Sequence, residues 1–214
     1  MVAVISGSGQ GLFNTVLNTL GGGGAQVGQG REQQYVNLAT GNLVLQDDDE
    51  QLVFRGLAID ATRTYNSAGT FGQTGADGWV TGFERNVSLL AGTLNAAGSV
   101  MRLTKGDGSY QDFTYTSSNK YTSTAGDGAS DTLTWSSSAA TWTYVEGSSR
   151  EEEVYASHSD SVLQGRLLKI INLKSDATTP AEWDVVYDSN NRISAIQAND
   201  GTSNPDAILF GYDA

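Results

Sequence analysis

The chain contains no cysteine, two prolines and one histidine among its 214 residues. Without cysteine it has no disulfide, no thiol chemistry and no cysteine-ligated metal site. It also lacks a run of about 18 apolar residues, so we expect no membrane span. The opening residues MVAVISGSGQ have neither a basic segment nor a long apolar segment, and so they do not resemble a general secretory signal peptide.

Basic residues are scarce. Twelve Lys and Arg stand against 24 Asp and Glu, which gives a formal net charge of −12. A surface this acidic repels phosphate backbones and anionic lipids, so we expect no nucleic-acid partner and no membrane-surface partner. Acidity is compatible with cation binding, but also with simple solubility, and so it does not by itself indicate a cation site.

Turn-forming residues are abundant, with 26 glycines and many Ser, Thr, Asn and Asp between short apolar runs. This pattern predicts an all-β fold, an antiparallel meander of short strands. One exception is the apolar stripe of Leu12, Phe13, Val16, Leu17 and Leu20, which predicts a short helix over 10–20 that ends at the glycines 21–24. We therefore divide the chain into a helix with a Gly-rich segment (1–34), a β-rich opening region (35–150) and a repeat region (151–214).

Local patterns predict several strands and turns. Asp107-Gly108, between Val100–Thr104 and Tyr110–Tyr115, predicts a hairpin, because Asp-Gly tolerates the positive φ angles of tight turns. Alternation in TWTYVEG places Trp142 and Tyr144 on one face of a strand. The acidic run DDDE (47–50) predicts a break between strands.

A repeat appears in the last third of the chain. Arg166, Leu167 and Ile170 precede Arg192, Ile193 and Ile196 by 26 residues, and the Tyr-Asp pair 187–188 precedes the pair 212–213 by 25. EVYAS (153–157) resembles VVYDS (185–189), with a longer stretch before its Arg-Leu pair. The pattern predicts a hairpin in which Asp188 bonds its own turn and Tyr187 offers a ring to the sheet and a hydroxyl to a partner.

These motifs carry a family resemblance. YDSNNRISAIQANDG followed by ILFGYD resembles the YD repeat of the RHS family, and YVNLATGNLVLQDDD, TRTYNSAG, GWVTGFERNVSL and VMRLTKGDGSYQDF resemble the segment that opens such proteins. The resemblance covers about residues 35–214. It implies an extended, twisted sheet that begins a hollow shell, which in bacterial polymorphic toxins encloses a C-terminal effector and in other members forms a surface protein.

The resemblance also assigns the repeat-defining residues, which we expect to be structural: Tyr187, Asp188, Arg192, Ile193, Gly201, Tyr212 and Asp213. It implies partners in the downstream remainder of the chain or an encapsulated effector, and a secreted or bacterial cell-surface location reached by a route other than the general secretory one. We predict no enzymatic activity, no catalytic residue, no cofactor and no metal. The oligomeric state stays open.

A carbohydrate-binding or adhesin module, with calcium as a candidate aid, is the alternative. Trp135, Trp142 and Tyr144 lie in polar, Ser/Thr-rich strands, where exposed aromatic rings can stack on sugars, although core packing explains the same pattern. His158, in YASHSDSV, has no convergent catalytic partner in the sequence, and we expect a surface residue. Adjacent carboxylates in 47–50 and 151–153 point to opposite faces of a strand, which favours solvated edges over a calcium site.

Overall fold

The structure is a computed structural model. It describes residues 3–4, 26–27, 33–37, 41–55, 57–68, 78–123, 130–147, 151–172 and 180–212. Seventeen strands and no helix lie within these residues. The predicted helix over 10–20, the glycines 21–24 and Asp213 fall outside them. The described residues contain no helix long and apolar enough to cross a membrane.

Six strands form the first sheet, in the order β1-β3-β4-β5-β6 with β2 also paired to β3. Their bounds are β1 (Ala3–Val4), β2 (Gln26–Val27), β3 (Gln33–Asn37), β4 (Asn42–Phe54), β5 (Leu57–Asn66) and β6 (Trp79–Thr81). β1 runs parallel to β3, whereas β2–β3, β3–β4 and β5–β6 pair antiparallel. The predicted break at 47–50 is wrong, because β4 continues through the acidic run.

The second sheet is an eleven-stranded meander in which every strand lies beside its neighbour in the chain. Its strands are β7 (Asn86–Ala91), β8 (Val100–Thr104), β9 (Tyr110–Ser117), β10 (Lys120–Thr122), β11 (Thr132–Ser136), β12 (Thr141–Val145), β13 (Glu151–Ala156), β14 (Leu167–Asn172), β15 (Ala181–Tyr187), β16 (Ile193–Ala198) and β17 (Ala207–Leu209). All pairings from β9 to β17 are antiparallel. The all-β antiparallel meander predicted from turn chemistry is therefore confirmed.

One face of the long sheet forms a core. Along β12 the residues alternate, so that Trp142 and Tyr144 are buried while their neighbours are partly exposed. β15 repeats this alternation with Trp183 and Val185. The indole N–H of Trp183 donates to the Leu57 carbonyl at 3.3 Å, and its ring meets Phe54 edge-on at 6.0 Å. Burial of such large rings supplies the main favourable term in folding.

The residues group into two compact units. The first comprises 1–50, 60–85 and 104–111, and the second comprises 51–59, 86–103 and 112–214. The divisions predicted at 34/35 and 150/151 follow sequence character and stay predictions.

The predicted hairpin at Asp107-Gly108 is confirmed. Lys105 and Ser109 close it, with a 2.8 Å bond from the Lys105 amide to the Ser109 carbonyl and a 3.0 Å bond from the Gly108 amide to the Lys105 carbonyl. Asp107 accepts the Ser109 amide at 2.9 Å, and Gly108 has a φ of 79°. Three residues, rather than two, form the loop, which is the arrangement of a type I turn followed by a left-handed residue.

Candidate functional site

The Tyr-Asp turn after β15 is held by its aspartate. The Asp188 carboxylate accepts the amide of Asn190 at 2.8 Å and both the amide and Nε of Arg192 at 2.9 Å. These bonds, the Arg192 amide first, hold the pKa of Asp188 below its ordinary value of 3.8. Asn191 takes the left-handed conformation, with a φ of 61°. Asp188 therefore fixes the turn that the sequence predicts for it.

The tyrosines of the two repeats make equivalent hydroxyl contacts. The hydroxyl of Tyr187 donates to the Leu167 carbonyl at 2.7 Å, and that of Tyr212 donates to the Ile193 carbonyl at 2.8 Å. Leu167 and Ile193 occupy the same place in the repeat, directly after the arginine. Each tyrosine thus binds the start of the return strand in the preceding unit.

The arginines also occupy equivalent places. The guanidinium of Arg166 lies 6.0 Å from the centre of the Tyr187 ring, and that of Arg192 lies 4.2 Å from the centre of the Tyr212 ring. A guanidinium over an aromatic face gains cation–π attraction within about 6 Å. The Arg-Leu/Ile pair of one unit therefore receives the tyrosine of the next unit through both its charge and its backbone.

A β-bulge marks the same position in two hairpins. Tyr155 pairs with Leu167 across a register shift in β13–β14, and Tyr187 pairs with Ile193 across a register shift in β15–β16. In each hairpin the residue after the tyrosine donates its amide to the arginine carbonyl, from Ala156 at 2.9 Å and from Asp188 at 2.8 Å. The register of EVYAS thus matches that of VVYDS, although Ala156 stands where the aspartate would be.

The extra residues of the first hairpin form a loop, 157–165, that we call the closing loop. The Asp160 carboxylate accepts the amides of Val162 at 2.8 Å and Leu163 at 2.7 Å, and these bonds hold the pKa of Asp160 below its ordinary value. The Gly165 carbonyl accepts the Val87 amide at 2.9 Å, beside an antiparallel bridge between Asn86 and Arg166. The insertion thereby joins β7, the first strand of the sheet, to the β13–β14 connection.

Gly201 lies in the turn between β16 and β17. Its φ is 75°, and the preceding Asp200 accepts the amide of Thr202 at 2.8 Å and its hydroxyl at 2.7 Å. An Asp-Gly pair gives this connection the positive φ that the turn needs. The repeat-defining residues from Tyr187 to Gly201 therefore occupy strand ends or turns, and Tyr212 follows the end of β17.

Comparison with known proteins adds one finding. Residues 33–113 match a family model described as "Domain of unknown function (DUF6531)". The match runs from β3 into β9 and covers fewer than half of the 214 residues, so the chain is similar to that family over this part only. No curated protein matches the chain.

The aromatic residues of the carbohydrate alternative are mostly buried. Trp142 has no exposed surface and Tyr144 is 4% exposed, because both belong to the apolar face of β12. The Tyr144 hydroxyl donates to Asp131 at 2.9 Å, and burial, more than that carboxylate, raises the pKa of Tyr144. Of the two explanations that the sequence left open, core packing therefore describes these two residues, and neither offers a ring for sugar stacking. Trp135, across the strand from Trp142, keeps part of its surface exposed, with ring centres 5.1 Å apart.

His158 is half-buried against that aromatic pair, which corrects the expectation of a surface residue. The Trp142 indole N–H donates to His158 Nδ1 at 3.3 Å, and the imidazole lies 5.9 Å from the Trp142 ring and 6.2 Å from the Trp135 ring. Burial lowers the pKa of His158 below its ordinary value of 6.5. The alternation of β12 in the sequence indicated the face on which Trp142 lies. Nothing in the sequence indicated that the loop containing His158 lies against that face.

The acidic runs have protein partners. Arg63 binds Asp49 Oδ1 at 2.8 Å and Asp47 at 3.1 Å, while Asp48 accepts the Thr62 hydroxyl at 2.7 Å. Glu153 is buried and accepts the hydroxyl of Tyr155. Within the part of the chain that the structure describes, no three His, Asp or Glu residues form a group that could hold a metal ion.

Proposed function

We propose that the chain is a non-catalytic structural part of an RHS/YD-repeat shell or secreted surface protein, which helps to encapsulate or present a C-terminal effector. The observation that carries this proposal is the equivalent pair of tyrosine contacts, Tyr187 to Leu167 and Tyr212 to Ile193. The repeat in the sequence therefore corresponds to two equivalent hydroxyl contacts in successive units.

A repeat of this kind suits a scaffold because each unit completes the previous one. A single hairpin cannot bury its face alone, and neighbouring hairpins supply the missing side. Here the carbonyl that follows the arginine of one unit accepts the tyrosine hydroxyl of the next unit, and the guanidinium lies beside the ring of that tyrosine. Such a contact keeps successive hairpins in register, which a long continuous ribbon around a cavity requires.

The edge of the long sheet is consistent with continuation. β17 pairs with β16 alone in the described sheet, and its Leu209 is 77% exposed. An edge strand with an apolar side chain is an aggregation hazard unless another segment covers it. A further hairpin of the same pattern would pair with this edge and shield Leu209.

Protease protection of the natural gene product tests the proposal. We expect the segment that follows residue 214 to resist proteolysis while the shell is intact, and to become cleavable when Tyr187→Phe and Tyr212→Phe are combined. Circular dichroism of the double variant checks that its strands remain. A reading frame that stops at codon 214, or a C-terminal segment that is cleaved at the same rate with and without the shell, contradicts encapsulation.

Glycan binding remains the second candidate, and it rests on Trp135, whose ring is partly exposed beside His158. A glycan array with and without calcium distinguishes the two functions. Binding that is lost in Trp135→Ala supports the glycan function, and Trp142→Ala serves as the control for a core effect. Absence of binding under both conditions removes this candidate.

A further inference from the structure

The closing loop is attached at two points to other parts of the second unit, to which it belongs. At its end, the Gly165 carbonyl accepts the Val87 amide at 2.9 Å. Near its beginning, His158 Nδ1 accepts the indole N–H of Trp142 at 3.3 Å. On either side of the loop, the Ala156 amide donates to the Arg166 carbonyl at 2.9 Å and closes its base. These contacts tie strand β7 to a loop whose anchor is the one histidine of the chain.

The hydrogen bond at His158 requires a neutral imidazole. Nδ1 accepts a proton donor only while it carries no proton itself, because both nitrogens of an imidazolium are donors. Protonation would bring two donors face to face, the Nδ1–H of His158 and the indole N–H of Trp142. The Trp142 side chain has no exposed surface. A buried donor that loses its acceptor destabilises the arrangement.

The charged groups around the loop are engaged elsewhere. Asp160, in the loop itself, accepts the amides of Val162 and Leu163. Glu153 of β13 accepts the hydroxyl of Tyr155. Arg166, at the base, donates to the Asn191 carbonyl.

The groups of β11 and β12 that face the imidazole are the uncharged indoles of Trp135 and Trp142. Burial without a compensating carboxylate agrees with the lowered pKa of His158.

We propose that the closing loop holds the first strand of the long sheet through contacts that are sensitive to acid, and that His158 is the group that titrates. Above the ordinary histidine pKa of 6.5 the imidazole is neutral and the loop stays closed. Because the pKa is lowered in the folded state, the contribution of this contact is fully present above 6.5. It is lost as the pH falls below that value towards the lowered folded-state pKa. Acid then releases the His158 end, and the bond between Gly165 and Val87 opens more often.

Amide exchange at Val87 tests the proposal. In the whole chain, the protection of the Val87 amide, corrected for intrinsic exchange, is compared at about pH 7.5 and about pH 5, on either side of the ordinary histidine pKa. We expect the protection to fall in the acid, because the released imidazole binds a proton that the closed arrangement excludes. In His158→Asn, which keeps an acceptor near the position of Nδ1 and does not titrate in this range, the protection should stay unchanged.

Nuclear magnetic resonance of the single histidine provides the second measurement. His158 should titrate below 6.5, and Trp142→Phe, which keeps a ring and removes the donor, should move the titration towards 6.5. Equal acid loss of Val87 protection in the unaltered chain and in His158→Asn would overturn the proposal. So would a His158 that titrates at or above 6.5 in the unaltered chain.

Discussion

Replacing Gly165 with alanine tests the join between the closing loop and β7. A Cβ at this position would lie 2.0 Å from the Val87 carbonyl oxygen and 3.1 Å from its carbon, so the backbone of β7 must move. Gly98 provides a matched control, because its φ of 85° is close to the 79° of Gly165 and a Cβ there meets nothing within 4 Å. The difference between Gly165→Ala and Gly98→Ala therefore isolates the steric clash from the cost of positive φ.

The magnitude follows from three contributions. A non-glycine residue in the left-handed region costs about 1–2 kcal/mol at either position. At Gly165 the bond from the Val87 amide is also lost, which adds about 1 kcal/mol. The displacement of the fully buried Val87 side chain adds about 1–3 kcal/mol, as overpacking in a core does. We expect Gly165→Ala to lower the free energy of unfolding by about 3–6 kcal/mol and Gly98→Ala by about 1–2 kcal/mol.

Urea denaturation followed by tryptophan fluorescence measures the difference. Trp135, Trp142 and Trp183 all belong to the second unit, where the clash lies. Equal slopes of the transitions would show that the stability, rather than the surface exposed on unfolding, has changed. Independent effects add within about 0.5 kcal/mol. If the two variants lose the same stability within that margin, the close contact between Gly165 and β7 is refuted.

Two further predictions concern the repeat. Tyr187→Phe and Tyr212→Phe each remove one hydroxyl bond to a backbone carbonyl. Each should lower the free energy of unfolding by about 0.5–1.5 kcal/mol. Unchanged urea midpoints in both variants would contradict the shared role of the two contacts. Asp188 has a lowered pKa, so it stabilises the fold above its ordinary pKa of 3.8, and this contribution is lost as the pH falls through the folded-state pKa. Asp188→Asn should therefore show a flatter dependence of stability on pH below about 4 in acid titrations, where the unfolded carboxyl titrates, and a profile identical to that of the unaltered chain would exclude this linkage.

Local chemistry accounts for what the sequence predicted correctly. The hairpin at Asp107-Gly108 and the turn at Asp188 depend on residues within four positions of one another, and their side-chain preferences are visible in the sequence. Alternation in β12 likewise identified the shared face of Trp142 and Tyr144. The equivalence of Tyr187 and Tyr212 was predictable as a repeat, because similar spacing in the chain became equivalent hydroxyl contacts.

Long-range contacts account for what the sequence did not show. Within β4 the acidic run forms ion pairs with Arg63 of β5 through Asp47 and Asp49, and the sequence does not say which strand lies beside it. The burial of Trp142 depends on which face of the sheet becomes the core. The role of the insertion depends on Val87, which lies far from Gly165 along the chain and close to it only in the folded sheet.

The tyrosine contact has a consequence for how the connections between strands of the long sheet can vary in length. Tyr187 reaches back 20 residues to its carbonyl and Tyr212 reaches back 19, yet the two bonds are nearly equal at 2.7 and 2.8 Å. The hydroxyl measures the separation between strands rather than the number of residues that connect them. Connections such as the exposed 201–204 turn can therefore gain or lose residues without disturbing the strands on either side. A protein engineer could place a label or a binding peptide in that turn and leave the separation between neighbouring strands unchanged.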